Sequence, residues 1–290
     1  MFHGSIVALV TPMHANGQID FESLTQLIGW HIETKTHAIV ILGTTGESPT
    51  VTQEERHAII KHTIKHAANH IPVIVGSGNN STARTIEDTQ EAMELGADAC
   101  LIITPYYNKP MQEGLYQHYA AIAKAVPIPQ ILYNAPGRTG CDLLPETVER
   151  LADIPNIIAI KESSGKIARL PDLQKRCGIR FDIFSGEDDQ AAEFILQGGK
   201  GIISVTANVA PSLMQSMCVA ALQEDRPQTD AINQKLATLH KTLFVESNPI
   251  PVKWALHEMG KIPPGIRLPL TPLAHEHHSA VKAAMKLAGI

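Results

Sequence analysis

The chain has 290 residues, room for two average domains or for one α/β barrel, which routinely fills roughly 200–250 residues. Its 44% hydrophobic and 18% charged content is that of a globular protein with a large core, which excludes disordered and collagen-like chains. With 24 Lys and Arg against 29 Asp and Glu, the net charge of −5 lacks the basic excess of a nucleic-acid surface or of a face for anionic lipid, and no stretch approaches the run of about 18 apolar residues a membrane helix needs.

Short β-branched runs recur along the chain, each followed by a helical pattern. They are SIVALV (5–10), HAIVIL (37–42), PVIVG (72–76), ACLIIT (99–104), PQILYN (129–134), IIAIK (157–161), FDIFS (181–185) and GIISV (201–205). They read as continuous apolar runs, which suits a parallel sheet buried on both faces. The helices between them carry start signals. Thr52 with Glu55 three residues on forms a capping box, Ser81 precedes a helix that Gly96 can stop, and Pro145 opens PETVERLA. Eight strand–helix units predict an α/β fold of the (β/α)8 TIM-barrel type over residues 1–224. A doubly wound sheet is the alternative, but Gly76-Ser77-Gly78 lacks the rest of a dinucleotide fingerprint. After residue 225 the strand signals stop. Helical stretches at 229–244, 250–259 and 277–288 predict a C-terminal helical extension over 225–290 packed on the barrel.

The first apolar run, Ile6 to Val10, has no Lys or Arg before it and is short for a secretory signal, so a cytoplasmic protein is expected. Cys100, Cys141, Cys177 and Cys218 are far apart with no CxxC, which predicts four reduced thiols.

In a barrel, chemistry collects where strands end. Those ends carry Gly43-Thr44-Thr45-Gly46-Glu47-Ser48, Tyr106-Tyr107-Asn108, Tyr133-Asn134 through Gly140, Lys161-Glu162-Ser163 and Gly186-Glu187-Asp188. Lys161 closes an apolar run. Desolvation there frees an amine to attack a carbonyl, although the stem can instead pack while the ammonium reaches water. Tyr107 and Tyr133 can serve proton transfer, or simply pack with satisfied hydroxyls. GTTGES can offer hydroxyls and N–H groups to a small carboxylate, or be a glycine-permitted turn. Arg138 suits a bidentate carboxylate contact, or solvent. His62, His66 and His70 recur every fourth residue and His275-Glu276-His277-His278 cluster, but neither spells HExxH, and solvated helix faces are the better reading.

The motifs GTTGES (43–48), TPYYNKP (104–110), YNAPGRTG (133–140) and IKES (160–163), with FVESNPIPVKWAL (244–256), together resemble the pyruvate-dependent class I aldolases of the dihydrodipicolinate synthase / N-acetylneuraminate lyase family, over essentially the whole chain. PYYN with Arg138 is similar to the synthase branch. The resemblance implies that Lys161 forms a covalent imine with pyruvate and that no added cofactor and no metal is required. It implies that Thr45, with Thr44, holds the pyruvate carboxylate. It implies that Tyr133, Thr44 and Tyr107 relay protons, Tyr107 reaching over from a neighbouring subunit of a homotetramer built as a dimer of dimers. Arg138 would bind the carboxylate of aspartate 4-semialdehyde, and Gly186 and Ile203 would line the pocket through their backbones. The product would feed diaminopimelate and lysine synthesis. Another lysine-imine aldolase acting on a sugar acid or hydroxy-oxo acid is disfavoured by Arg138 and the paired Tyr106-Tyr107. A silent barrel sensing an oxo acid is disfavoured by the complete set of Lys161, Tyr133, Thr44 and Tyr107.

Lysine-sensitive relatives bind that amino acid with residues at positions 48, 49, 53, 56, 80, 84 and 106. This chain keeps Ser48, Asn80 and Tyr106, but has Pro49, Gln53, Arg56 and Arg84. Arg84 stands where a carboxylate would pair with the ligand's ammonium, so weak or absent inhibition by lysine is expected.

Overall fold

The computed structural model describes residues 2–290. Strands β1 (Gly4–Ala8), β2 (Ala38–Ile41), β3 (Val73–Gly76), β4 (Ala99–Ile103), β5 (Gln130–Asn134), β6 (Ile157–Glu162), β7 (Asp182–Ser185) and β8 (Gly201–Ser204) form a closed parallel barrel in sequence order. The pairing of β1 with β8 excludes an open doubly wound sheet. That seam is glycine on both sides: Gly4 lies opposite Gly201. A Cβ on Gly201 would come within 2.1 Å of the Gly4 carbonyl oxygen, so only glycine allows the two backbones to close here.

Between the strands run α1 (Phe21–Glu33), α2 (Gln53–Ala67), α3 (Thr82–Glu94), α4 (Gln112–Ala125), α5 (Pro136–Thr139), α6 (Pro145–Ala152), α7 (Arg169–Cys177) and α8 (Ala191–Leu196), with α9 (Pro211–Leu222) after β8. Thr52 and Glu55 make the reciprocal capping box expected of them. The tail holds α10 (Arg226–Thr242), α11 (Ile250–Glu258) and α12 (His275–Ala288). Two of these start earlier than the apolar pattern predicts. The Asp225 carboxylate accepts the Gln228 N–H, and Pro227 sits in the first turn, where its missing N–H costs nothing. The sequence Asp-Arg-Pro is therefore a helix start. Helix α12 begins at the histidine cluster itself. The first two strands are shorter than their apolar runs, because Leu42 turns left-handed at φ 56° and the Val10 N–H goes to the Asn208 side chain at 3.0 Å.

Alternation survives although both faces of each strand are apolar. Ile6, Ala8, Val40, Leu101, Ile131, Tyr133, Ala159 and Ile203 fill the barrel interior. Val7, Ile39, Ile41, Cys100, Leu132, Ile160 and Ile202 pack outward under the helices. The tail is tied to the barrel by polar contacts. The Lys253 ammonium meets the Glu47 carboxylate, both buried, and the Arg267 guanidinium donates to Glu55 and to the carbonyls of Gly17 and Thr50.

Two buried histidines make stability depend on pH. His31 Nδ1 pairs with Thr36 Oγ1 at 2.9 Å and His118 Nδ1 with Thr82 Oγ1 at 2.9 Å, while neither Nε2 has a partner. Burial pushes the His31 imidazole from its ordinary 6.5 down to about 3 and that of His118 to about 4. Their contribution is complete above pH 6.5 and is lost as the pH falls from there, because only the unfolded chain takes up the proton. Each residue should cost about 1.4 kcal/mol per pH unit within that window. Unfolding measured near pH 7 and near pH 5.5 is expected to show His31→Gln losing about 1.4 kcal/mol less than the parent chain. Equal losses would contradict a neutral His31.

Candidate active site

Inward alternation decides where the lysine goes. Ala159 on β6 points into the barrel, so Lys161 two residues on points the same way, and β5 places Tyr133 directly opposite it. Lys161 is 6% exposed and its Nζ stands 4.2 Å from the centre of the Tyr133 ring. The space it needs comes from Gly186 at the end of β7. A Cβ there would stand 2.9 Å from Lys161 Cε and 1.7 Å from Ser163 Oγ. A cavity of about 220 Å³ opens above the lysine, lined by Thr44, Thr45, Tyr133, Arg138, Lys161 and Gly186 among others.

GTTGES folds as the tight loop that leaves β2. The N–H groups of Gly46 and Glu47 donate to the carbonyls of Gly43 and Thr44 at 3.1 Å each. Glu47 adopts a left-handed φ of 56°, and its buried carboxylate holds the Lys253 ammonium and accepts the Arg267 N–H at 3.1 Å. The Asn248 amide nitrogen donates to Thr45 Oγ1 at 2.9 Å. The tail therefore fixes the two threonines that face the lysine. Arg138 lies on the single turn of α5, which Pro136 opens after β5. Its guanidinium donates to the Asn248 carbonyl at 3.2 Å, which leaves further N–H groups for a ligand.

Six of the predicted residues, Lys161, Tyr133, Thr44, Thr45, Arg138 and Gly186, thus line one cavity. Two do not. Ile203 is fully buried in the barrel interior, and Val205 lines the cavity instead. Tyr107 is 89% exposed, with φ at 73°. Its loop is clamped by Asn80, which donates to the Tyr106 carbonyl at 3.1 Å and accepts from Asn108 at 2.9 Å. Asn248, Ser163 and Glu187 also line the cavity. All three lie inside the quoted motifs and strand ends, but an amide, a hydroxyl and one more acid carry no spacing signal that singles them out.

A second cavity of about 440 Å³ adjoins the first, sharing Thr44, Tyr133 and Arg138 and reaching Ser48, Gln53 and Tyr106. Its other two arginines are paired with carboxylates. Arg84 pairs with Asp88 at 2.8 Å and Glu87 at 3.5 Å, and also donates to Gln53. Arg56, buried, stands 3.5 Å from Glu91 and donates to the Gly76 carbonyl at 2.9 Å. Burial lowers the Arg56 pKa against the pull of Asp88 and Glu91.

Elsewhere, His62 bonds Thr25 Oγ1 at 2.8 Å and stacks on His66, and His278 stacks on Trp254 at 4.4 Å. Among the described residues no group of three or more His, Cys, Asp or Glu is placed to hold a metal ion. All four cysteines are free, and burial pushes the Cys100 thiol up to about 12.

A family model described as the dihydrodipicolinate synthetase family matches residues 1–288. The 4-hydroxy-tetrahydrodipicolinate synthase of Methylococcus capsulatus is 58% identical over 290 residues, 100% of both chains. That of Thioalkalivibrio sulfidiphilus is 56% identical over 100% of this chain and 99% of its own. The chloride-inhibited dihydrodipicolinate synthase of Acinetobacter baumannii, solved in complex with pyruvate, is similar with a TM-score of 0.99 and 53% identity, each chain covered in full.

Proposed function

The chain belongs to the dihydrodipicolinate synthetase family, and from that premise we propose a role for each residue around Lys161. The enzyme is a lyase that performs an aldol condensation of pyruvate in lysine biosynthesis. The observation that carries the assignment of roles is the buried Lys161 amine over the Tyr133 ring, in the cavity that also holds Thr44, Thr45 and Arg138.

Lys161 Nζ attacks the pyruvate ketone carbon, and loss of water leaves an imine. Loss of a proton from the adjacent methyl gives an enamine, whose carbon adds to the aldehyde of aspartate 4-semialdehyde; the substrate's amino group then attacks the re-formed imine carbon and displaces Lys161 Nζ, closing the ring and freeing the enzyme. The imine stores the electron pair, so the step asks for no other cofactor. Thr44 and Thr45 hold the pyruvate carboxylate through hydroxyl and main-chain N–H groups. Tyr133 carries the protons beside Nζ, and Arg138 binds the aldehyde's carboxylate as a charge-assisted pair. Tyr107 completes the relay from a second copy of the chain, within a tetramer built as a dimer of dimers. Its exposure and left-handed backbone in a clamped loop support that reading, since an ordered aromatic turned to water gains nothing within its own subunit. Among the described residues no helix is long and apolar enough to cross a membrane, and we place the enzyme in the cytoplasm.

One experiment tests both the amine and the shared tyrosine. Lys161→Ala should form no borohydride-trapped pyruvate adduct and lose several orders of magnitude in turnover. Tyr107→Phe should trap the adduct yet turn over poorly. Mixed protomers should regain activity, because some sites then hold both native residues. An adduct in Lys161→Ala, or no recovery in mixtures shown to exchange subunits, would overturn the respective role.

The second cavity supports the expectation on lysine. An ammonium entering it meets Arg84, and the carboxylates of Asp88 and Glu87 already serve that arginine. We expect weak or absent inhibition. Titration of turnover with lysine checks this, and half-inhibition below about 1 mM, the scale of a site worth roughly 4 kcal/mol, would contradict it.

A further inference from the structure

The cavity above Lys161 is lined by two cationic side chains, Lys161 and Arg138, and by one carboxylate, Glu187. Pyruvate brings one carboxylate. An α-amino acid aldehyde brings a carboxylate and an ammonium. Among the groups that line the cavity, Glu187 is the one carboxylate that the ammonium can find.

Glu187 is free to serve as its counterpart. Three other acids near the barrel mouth are occupied, and Asp189 is exposed to solvent. Asp188 serves Ser204 and the N–H groups of Val205 and Thr206, Glu162 takes the Ser164 N–H at 2.7 Å and faces Arg169 at 3.6 Å, and Glu47 holds Lys253. The Glu187 main chain is fixed on both sides by Ser185 Oγ, at 3.0 and 3.1 Å. No hydrogen bond or ion pair to its carboxylate occurs among the described residues. Burial raises its pKa, Lys161 is the one charge that opposes this, and Asp189, Asp188 and Glu162 add to it. When Lys161 becomes a neutral enamine nitrogen, that opposing charge goes, and an arriving ammonium restores it. The same cavity is lined by Asn248, 6% exposed, whose Oδ1 is buried without a partner.

We propose that Glu187 receives the ammonium of the aldehyde substrate, with Asn248 as a second, neutral acceptor in the same cavity, and so selects an α-amino acid aldehyde over the same aldehyde without its amino group. The proposal deepens the reading above and rests on it, since it takes Lys161 as the pyruvate end and Arg138 as the carboxylate clamp. Glu187 is a specificity residue here and takes no part in bond making.

The test compares turnover of aspartate semialdehyde with inhibition by succinate semialdehyde, which lacks only the amino group and so cannot displace Lys161 by ring closure, in the native enzyme and in Glu187→Gln and Glu187→Asp. Neutral glutamine should lower kcat/KM for aspartate semialdehyde about tenfold or more, the scale of one lost charge-assisted hydrogen bond. The inhibition constant of succinate semialdehyde should change by less than about threefold, and the borohydride-trapped pyruvate adduct should persist. Glu187→Asp, which keeps the charge on a shorter stem, should fall between the two. An equal weakening of inhibition by succinate semialdehyde, loss of trapping, or no loss with aspartate semialdehyde would overturn the proposal while the native enzyme stays active. A native enzyme that traps pyruvate but consumes no aspartate semialdehyde would instead refute the choice of aldehyde on which it rests.

Discussion

Barrel closure is the constraint from which the site follows. Once eight strands close in sequence order, each alternate residue must face the interior, and the register of β5 on β6 sets Tyr133 against Lys161. An ammonium inside a packed barrel is costly to desolvate. It is tolerated here because the lysine stands at the last inward position, where the interior gives way to a cavity, with an aromatic face 4.2 Å from Nζ. A residue two positions earlier on β6 would be sealed between strands, as Ala159 is. The opening of the lysine onto a cavity thus comes from its position along the strand as much as from residue type.

The tail then decides whether the site is organised. Glu47 lies within the loop that presents Thr44 and Thr45, and its carboxylate is nearly inaccessible, as is the Lys253 ammonium that meets it. Burial lowers the Lys253 pKa and Glu47 pulls it back up, so the pair is held together by mutual need. Losing one partner of such a pair typically costs about 3–5 kcal/mol, because the other charge stays buried. Asn248 works on the same two walls, with its amide on Thr45 and its carbonyl on Arg138. The helices after the barrel are therefore part of the substrate-binding architecture, although none of their residues is asked to react.

Much of this was legible in the residues, for identifiable reasons. Parallel strands buried on both faces appear as unbroken β-branched runs, so all eight strands could be read, and Lys161 stood out as the one charge ending such a run. What alternation decides was hidden by the same feature: with both faces apolar, nothing in IIAIK says which way each side chain points until the barrel closes. The first tail helix, expected from 229, starts at Arg226, because the Asp225 carboxylate caps it and Pro227 fits its first turn. Ile203, expected to line the cavity through its backbone, has its side chain fully buried in the barrel interior, and Val205, two residues on, lines the cavity. Asn248 and Glu187 act through long-range placement, 203 residues apart in the case of Asn248 and Thr45, which no local pattern can disclose.

The central claim, that Lys161 is the covalent anchor for pyruvate, is tested most directly by a crystal structure of this chain soaked in pyruvate. Continuous density from Lys161 Nζ to the ketone carbon is predicted, with the pyruvate carboxylate against Thr44 and Thr45 and the guanidinium of Arg138 left open. Pyruvate bound with its carboxylate on Arg138, and no bond to Nζ, would contradict it.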